Sequence, residues 1–280
     1  MKLIANTVDD LFQPRELAED EYLNEVDGLI YCSKCHTPRQ HRIELKERVF
    51  LPTVRCRCQQ EEYDKEEAER KHQEFLMQVS RLRANGLQDK SLHDYNFAND
   101  KGYNPEMQKA HDYVTHWEEM KAKSLGLLLW GDVGTGKSFF AGCIANALLD
   151  KGIPVLMTNF SRILNTLTGM YSDDRNQFID SFNKYSLLII DDLGIERSSE
   201  FALEQVFNVI DSRYRSKKPL IVTTNLTLDE LKHPKDLARA RIYDRVLERC
   251  VPLKINNHNI RELNAAANMQ EARKILNSGT

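Results

Sequence analysis

Long hydrophobic runs are missing from this 280-residue chain. None approaches the roughly 18–20 apolar residues that a membrane-crossing helix needs, which excludes helical insertion into a bilayer. The first residues, Met1-Lys2-Leu3-Ile4, run straight into acids and make no signal peptide, so a cytoplasmic protein is expected. No internal repeat is present. An excess of one charge is missing too: the net charge is −3, with 41% hydrophobic and 29% charged residues, as in an ordinary globular chain. That near-balance hides a contrast. Residues 1–28 hold eight acids against two bases, and residues 29–58 hold seven bases against two acids. Nucleic acid is therefore not excluded, because a local basic face suffices. Cysteine is scarce and uneven, with six in all. Cys143 and Cys250 stand alone in apolar surroundings and read as small buried residues. The other four crowd the first quarter of the chain, and clustered thiols in a reducing compartment point to metal.

Against these absences stands one segment of high information, Gly131-Asp132-Val133-Gly134-Thr135-Gly136-Lys137-Ser138. It has the G-x-x-x-x-G-K-S spacing of a phosphate loop, the Walker A pattern. The apolar run Leu125–Trp130 precedes it, and a stretch from Phe139 to Asp150, apolar at helical spacing, follows. A loop between strand and helix is the context in which the pattern works. Glycines let successive backbone N–H groups turn towards an anion, and the helix adds its positive dipole end. Lys137 would reach the β- and γ-phosphates, and the Ser138 hydroxyl would hold magnesium. The chain is expected to bind a nucleoside triphosphate.

Cys32-x-x-Cys35, twenty residues, then Cys56-x-Cys58 gives four thiolates that can surround zinc tetrahedrally. His36 or His41 could replace one sulfur. A closed four-thiolate shell has no open position, so the expected role is structural. Ile43–Lys46 and Arg48–Leu51 would form a hairpin between the knuckles. A module this small buries too little to fold alone, so metal would supply much of its stability. Arg39, Arg42, Lys46, Arg48, Arg55 and Arg57 would give it a basic surface. Residues 59–88 read as a charged helical linker, with Phe75, Leu76, Val79 and Leu82 packing near its end and Asn85-Gly86 stopping it.

From residue 89 to 280 strands and helices alternate, which predicts an α/β fold with a parallel sheet sandwiched by helices. Pro154–Met157, Tyr185–Ile190 and Pro219–Thr224 read as strands, with helices over Ser161–Thr168 and Ser199–Arg215. Ligands of such sheets gather at strand carboxyl ends, and there lie the phosphate loop, Asp191-Asp192 and Asn225. Asp191 can serve magnesium, and Asp192 can orient or deprotonate an attacking water. Aspartate is one methylene shorter than glutamate there, so slow hydrolysis suited to a switch is expected. Asn225 would polarise the same water. Arg241, Arg245 and Arg249 share one helix face. Local ion pairs with Asp244 and Glu248 are one account of them; an arginine finger offered to a neighbour's nucleotide, with Arg245 in the lead, is the other. Arg261 could contact phosphate within the same subunit. Phe160, Arg162 and Asn165, with Tyr171 and Arg175 beyond, could offer stacking and phosphate contacts to a single strand.

The loop at Gly131–Ser138, Leu188-Ile189-Ile190-Asp191-Asp192-Leu193-Gly194, Thr223-Thr224-Asn225-Leu226, Arg241-Ile242-Tyr243-Asp244-Arg245 and Arg261 occur in an order that resembles the DnaC/IstB-like branch of the AAA+ P-loop ATPases. The resemblance covers roughly residues 89–280. It implies an ATPase using ATP and magnesium, with sensor 1 at Asn225, the arginine finger at Arg245, sensor 2 at Arg261, and Phe139 beside the phosphate loop. Fewer than thirty residues follow Pro252, leaving no room for a full helical lid, as suits this branch. The zinc-bearing first 58 residues are similar to those of DnaI-type helicase loaders, where that module contacts the replicative helicase. A loader of a hexameric replicative helicase in DNA replication, holding single-stranded DNA and self-assembling through the finger, is the expectation. An IstB-like transposition helper is the alternative. A small-molecule kinase would not need the paired aspartates, the asparagine strand and the arginine helix together.

Overall fold

The computed structural model describes residues 16–45, 48–194, 199–257 and 259–277. Met1–Ile4 and Lys46, invoked above, lie outside them. The chain divides into two compact units, residues 1–76 and 77–280.

In the first unit β1 (Glu21–Leu23) pairs with β2 (Ile30–Cys32), and β3 (Ile43–Leu45) with β4 (Arg48–Phe50), both antiparallel. The second pair is the expected hairpin. A 30-residue helix follows, α1 (Arg57–Gly86). It is charged all round, and the boundary between the units falls inside it. Towards its end Val79 is buried and Leu82 packs on the core as expected, whereas Phe75 and Leu76 remain 40% and 46% exposed.

The second unit continues with α2 (Met107–Thr115), α3 (Trp117–Ala122), β5 (Gly126–Trp130), α4 (Lys137–Asp150), β6 (Val155–Asn159), α5 (Phe160–Thr168), α6 (Ser172–Ser181), β7 (Leu187–Leu193) and α7 (Glu200–Arg215). Then come β8 (Leu220–Thr224), α8 (Leu228–Lys232), α9 (Leu237–Arg249), β9 (Cys250–Lys254) and α10 (Ile260–Asn277). Side-chain caps on backbone N–H groups start several of these helices: Asn159 for α5, Ser199 for α7 and Asp236 for α9. The five strands form one parallel sheet in the order β6-β7-β8-β5-β9. Pro252 sits on edge strand β9, where a missing N–H is tolerated. Alternate residues feed two cores, one on each face. Leu127, Leu129, Leu187 and Ile189 pack with α2 and α4; Leu128, Leu188, Ile190 and Val222 pack with α5, α7 and α9. Both lone cysteines are buried as expected, Cys143 in the first core and Cys250 in the second.

Arg213 shows how the second face is tied together. It is 1% exposed, and its guanidinium donates to the carbonyls of Pro219, Tyr185 and Ser186 at 2.7–3.1 Å. One side chain thus clamps the loop after α7 to the start of β7.

Two expected surface roles are corrected. Phe160 is 2% exposed and packs with Ile163 and Leu167, because its place as first residue of the strongly amphipathic α5 turns it to the core. It cannot stack on a strand of nucleic acid from there. Arg39 is buried too, and it spends its charge on Asp20 (2.6 Å) and Glu21 (3.0 Å). It belongs to the interior of the first unit, not to a basic face. Arg42 pairs with Glu44, and Arg55 lies over the Tyr63 ring.

Candidate nucleotide site and metal centre

Between β5 and α4 the phosphate loop is folded as its glycines require. Gly134 has φ +82° and Gly136 φ +94°, and a Cβ on Gly134 would stand 1.9 Å from the Asn259 side chain. Side chains are excluded from the loop by conformation and by space. Lys137 is turned inward, donating to the carbonyls of Gly131 (2.9 Å) and Asp132 (2.7 Å). Burial holds its pKa below the ordinary lysine value, opposed by the charges of Asp192, Asp191 and Asp132. Thr135 is buried and donates to the Asp132 carbonyl at 2.9 Å, which braces the loop.

Ser138 Oγ donates to Asp191 Oδ1 at 2.9 Å. A serine hydroxyl facing a carboxylate supplies the hard oxygen donors that magnesium takes, so these residues fit the ion. Asp191 and its neighbour pose a geometric problem. In a regular strand adjacent side chains point to opposite faces. Asp191 continues the face of Leu187 and Ile189, towards α4, so Asp192 should point away. A β-bulge solves this. Pairing with β8 runs Ile190↔Val222 and then Leu193↔Thr224, two steps against three. Asp192 takes φ +61°, and Leu193 joins the opposite core from the one strict alternation gives. The extra residue re-aims Asp192 into the cavity.

Thr223 pins the bulge. Its Oγ1 donates to Asp191 Oδ1 at 2.6 Å and accepts the Asp192 N–H at 2.9 Å. It is completely buried. A charge-assisted hydrogen bond of this kind is worth about 1.5–3 kcal/mol. The isosteric Thr223→Val change is therefore expected to slow ATP turnover roughly tenfold to a hundredfold. Single-turnover kinetics check it; an unchanged rate would mean the bulge holds without its pin.

The cavity beside the loop has a volume of about 460 Å³. It is bordered by Val133, Gly134, Gly136, Lys137, Ser138 and Phe139 of the loop, by Asp192, Asn225 and Arg261, and by the segment Tyr95–Asn104. Strand ends and the start of α10 thus converge as expected. The first turn of α10 is tied to the loop by the Ile260 N–H on the Gly134 carbonyl (2.9 Å), which carries Arg261 into place. Burial raises the Asp192 pKa, the Asp191 charge raises it further, and Lys137 and Arg261 oppose both.

The 95–104 wall was not foreseen. Its signal lies on the buried face of α4, where Gly142 and Asn146 interrupt an otherwise apolar pattern. Asn146 Nδ2 donates to the carbonyls of Leu92 (2.8 Å) and Tyr95 (2.9 Å), and a Cβ on Gly142 would lie 2.5 Å from Tyr95 Cβ. A glycine and an amide four residues apart inside a core helix mark where another backbone docks.

Arg245 stands apart from this cavity. Its Nε donates to Asp211 Oδ1 at 2.9 Å, and its guanidinium lies over the Phe207 and Tyr214 rings at 4.7 and 5.7 Å. Arg241 also lies over the Phe207 ring, 4.8 Å from its centroid, and is exposed. Of the residues suggested for single-strand contact, Tyr171 is 84% exposed, Arg162 and Asn165 are exposed, and Arg175 is half-buried against Phe201.

In the first unit the ligand sulfurs of Cys32, Cys35, Cys56 and Cys58 all lie within 4.8 Å of one another. A tetrahedral zinc with Zn–S of about 2.3 Å needs sulfurs about 3.8 Å apart; Cys32–Cys58 measures 3.6 Å and Cys56–Cys58 3.3 Å. The four fit a structural zinc. Neither candidate histidine belongs to the cluster; His36 Nδ1 lies 3.4 Å from the Tyr22 hydroxyl. Thr37 and the Cys58 N–H draw the Cys35 thiol down to about 5, while contacts with Cys56 and Cys32 push Cys58 up to about 12.

The family model described as IstB-like ATP binding protein matches residues 57–267. The chain belongs to this family. Among curated relatives, the replicative helicase loader DnaC of Escherichia coli strain K12 is 27% identical over 143 residues, 50% of this chain and 56% of that protein. The replicative helicase loader DnaI of Bacillus subtilis strain 168 is 25% identical over 165 residues, 55% of this chain and 53% of that one. The chain thus spans just over half the length of these relatives. A crystal structure of DnaI matches with a TM-score of 0.51 and 23% identity, covering 61% of this chain and 93% of that one, a likeness of fold. The parallel sheet with its phosphate loop has the fold of that DnaI structure, and the family to which the chain belongs is one of ATP-binding proteins. Among the described residues, no helix is long and apolar enough to cross a membrane.

Proposed function

We propose that this protein is an ATP-hydrolysing loader that delivers a ring-shaped replicative helicase to single-stranded DNA in the cytoplasm. The observation that supports it most is the joint presence of a complete phosphate-loop cavity and a four-cysteine cluster in a separate unit. Loop N–H groups and Lys137, released from the carbonyls of Gly131 and Asp132, bind the phosphates. Ser138 and Asp191 would hold magnesium, which would supply positive charge against the γ-phosphate. Asp192 takes a proton from, or orients, the attacking water, Asn225 polarises it, and Arg261 reaches the phosphates from within the subunit. Arg245 leaves Asp211 to act on the nucleotide of a neighbouring copy, which makes hydrolysis depend on assembly. The zinc unit holds the helicase. An IstB-like transposition helper would share the motor, and the cysteine cluster is what favours the loader.

Purified protein mixed with the replicative helicase of the same source is expected to co-elute with it when ATP and single-stranded DNA are supplied. Deleting residues 1–85 should abolish co-elution. Lys137→Ala should weaken ATP binding roughly tenfold to a hundredfold, as expected for lost charge-assisted hydrogen bonds of about 1.5–3 kcal/mol. No co-elution under any condition would turn the reading towards the transposition helper.

A further inference from the structure

The four clustered cysteines of the first unit share a role but not their surroundings. Cys32 and Cys56 are buried, 0% and 1% exposed, whereas Cys35 and Cys58 are partly exposed. A reagent in solution therefore meets the latter two. Their hydrogen bonding differs. Thr37 Oγ1 lies 3.1 Å from Cys35 Sγ and already accepts the Arg57 N–H at 2.9 Å, which leaves the hydroxyl proton for the sulfur. The Cys58 N–H, in the first turn of α1, is directed at Cys35 as well. Cys58 Sγ has no such donor. Among the described residues its hydrogen-bonding neighbours are other cysteine sulfurs, Cys32 at 3.6 Å and Cys56 at 3.3 Å.

Coordination to zinc takes the thiol protons from all four residues. What then separates the sulfurs is how far each negative charge is already stabilised. A thiolate that accepts hydrogen bonds is the weaker nucleophile, and one without them keeps its reactivity. We infer that Cys58 is the reactive thiolate of this centre, the position where a soft electrophile attacks and opens it. The inference rests on the zinc reading of the cluster and adds the order in which its sulfurs react. With a maleimide, the Cys58 sulfur lone pair forms an S–C bond to one alkene carbon. The other alkene carbon takes a proton from water, leaving hydroxide. The product is a neutral thioether, a poorer ligand than a thiolate, so three thiolates remain and the metal is lost.

Protein of full length carrying one zinc per chain is treated with less than one equivalent of N-ethylmaleimide. The singly labelled fraction is mapped by peptide mass spectrometry. Cys58 is expected to lead Cys35 by about tenfold, the rate equivalent of one or two hydrogen bonds, with the four buried cysteines behind both. Zinc release into a chromogenic chelator should keep pace with the Cys58 label. Thr37→Val keeps the shape of the side chain and removes the hydroxyl. It should raise the Cys35 rate about threefold to tenfold and leave the Cys58 rate unchanged. Equal labelling of Cys35 and Cys58, a lead for any other cysteine, or an unchanged Cys35 rate in Thr37→Val overturns the inference. The labelling order in the unchanged protein decides the matter even where the variant misfolds. Absence of zinc from the purified protein, measured before labelling, would overturn the zinc reading itself and the inference with it.

Discussion

An Asp192→Asn protein is expected to bind ATP as tightly as the unchanged chain and to hydrolyse it roughly 10²–10⁴-fold more slowly, the usual contribution of a positioned base. The substitution isolates chemistry from structure unusually well. Asp192 occupies the left-handed region at φ +61°, which asparagine tolerates, and its N–H bond to Thr223 is a backbone bond that the change leaves alone. The bulge should therefore survive. The pH dependence carries a second signature. Burial and the Asp191 charge raise the Asp192 pKa, so the base is ionised only at higher pH than an ordinary carboxyl group, and turnover should rise with pH through that ionisation. The asparagine protein should lose this limb. Stability should move the other way. A carboxyl whose folded pKa is raised contributes stability below its unfolded value and loses it as pH rises through the folded value. At neutral pH the asparagine protein should thus melt higher, and the gain should vanish in acid. Steady-state turnover, nucleotide titration and melting curves across pH check the set. Intact turnover with lost binding would sink the assignment of Asp192 as base.

What could be read in the amino-acid sequence follows from how local each feature is. A phosphate loop is made of backbone amides and glycines within eight consecutive residues, and it lies where the motif put it. The strands β5, β7 and β8 are continuous apolar runs, and the structure moves their ends by one to three residues. The zinc knuckles are fixed by spacing. Features that depend on two distant segments were hidden. Thr223 read as one more strand residue, since its role exists only once β8 lies beside the bulge in β7. The wall at 95–104 exists only because Gly142 and Asn146 on α4 receive it. Arg39 counted as surface charge until Asp20 and Glu21 closed on it, and Phe160 as a surface aromatic until α5 turned it inward. Thr223, the 95–104 wall and Arg39 are matters of pairing between distant segments, whereas Phe160 follows from the amphipathic pattern of α5 itself.

The second large effect concerns the metal. Among the described residues of the first unit, the buried apolar side chains are Ile30, Cys32 and Cys56. Two of the three belong to the four-cysteine cluster that would hold zinc, so little core is left to hold the hairpins without the metal. Structural zinc supplies on the order of 10–16 kcal/mol in small modules, far more than one buried isoleucine at about 1.5–3 kcal/mol. Chelation, or Cys32→Ser, is therefore expected to unfold β1 to β4 outright instead of merely loosening them. Cys32 is the informative position, because Arg39 also donates to its sulfur at 3.5 Å and is itself clamped to β1 through Glu21. Losing this ligand releases the metal and the buried arginine together. The phosphate-loop unit has its own two cores and should keep ATP affinity unchanged. Release of one zinc per chain into a chromogenic chelator, collapse of the amide spectrum of residues 16–56, lost helicase co-elution and retained ATP binding are the expected results. If instead the module stays folded without metal and the helicase still binds, the four sulfurs are neighbours without an ion, and the first unit must draw its stability from contacts other than its cysteines.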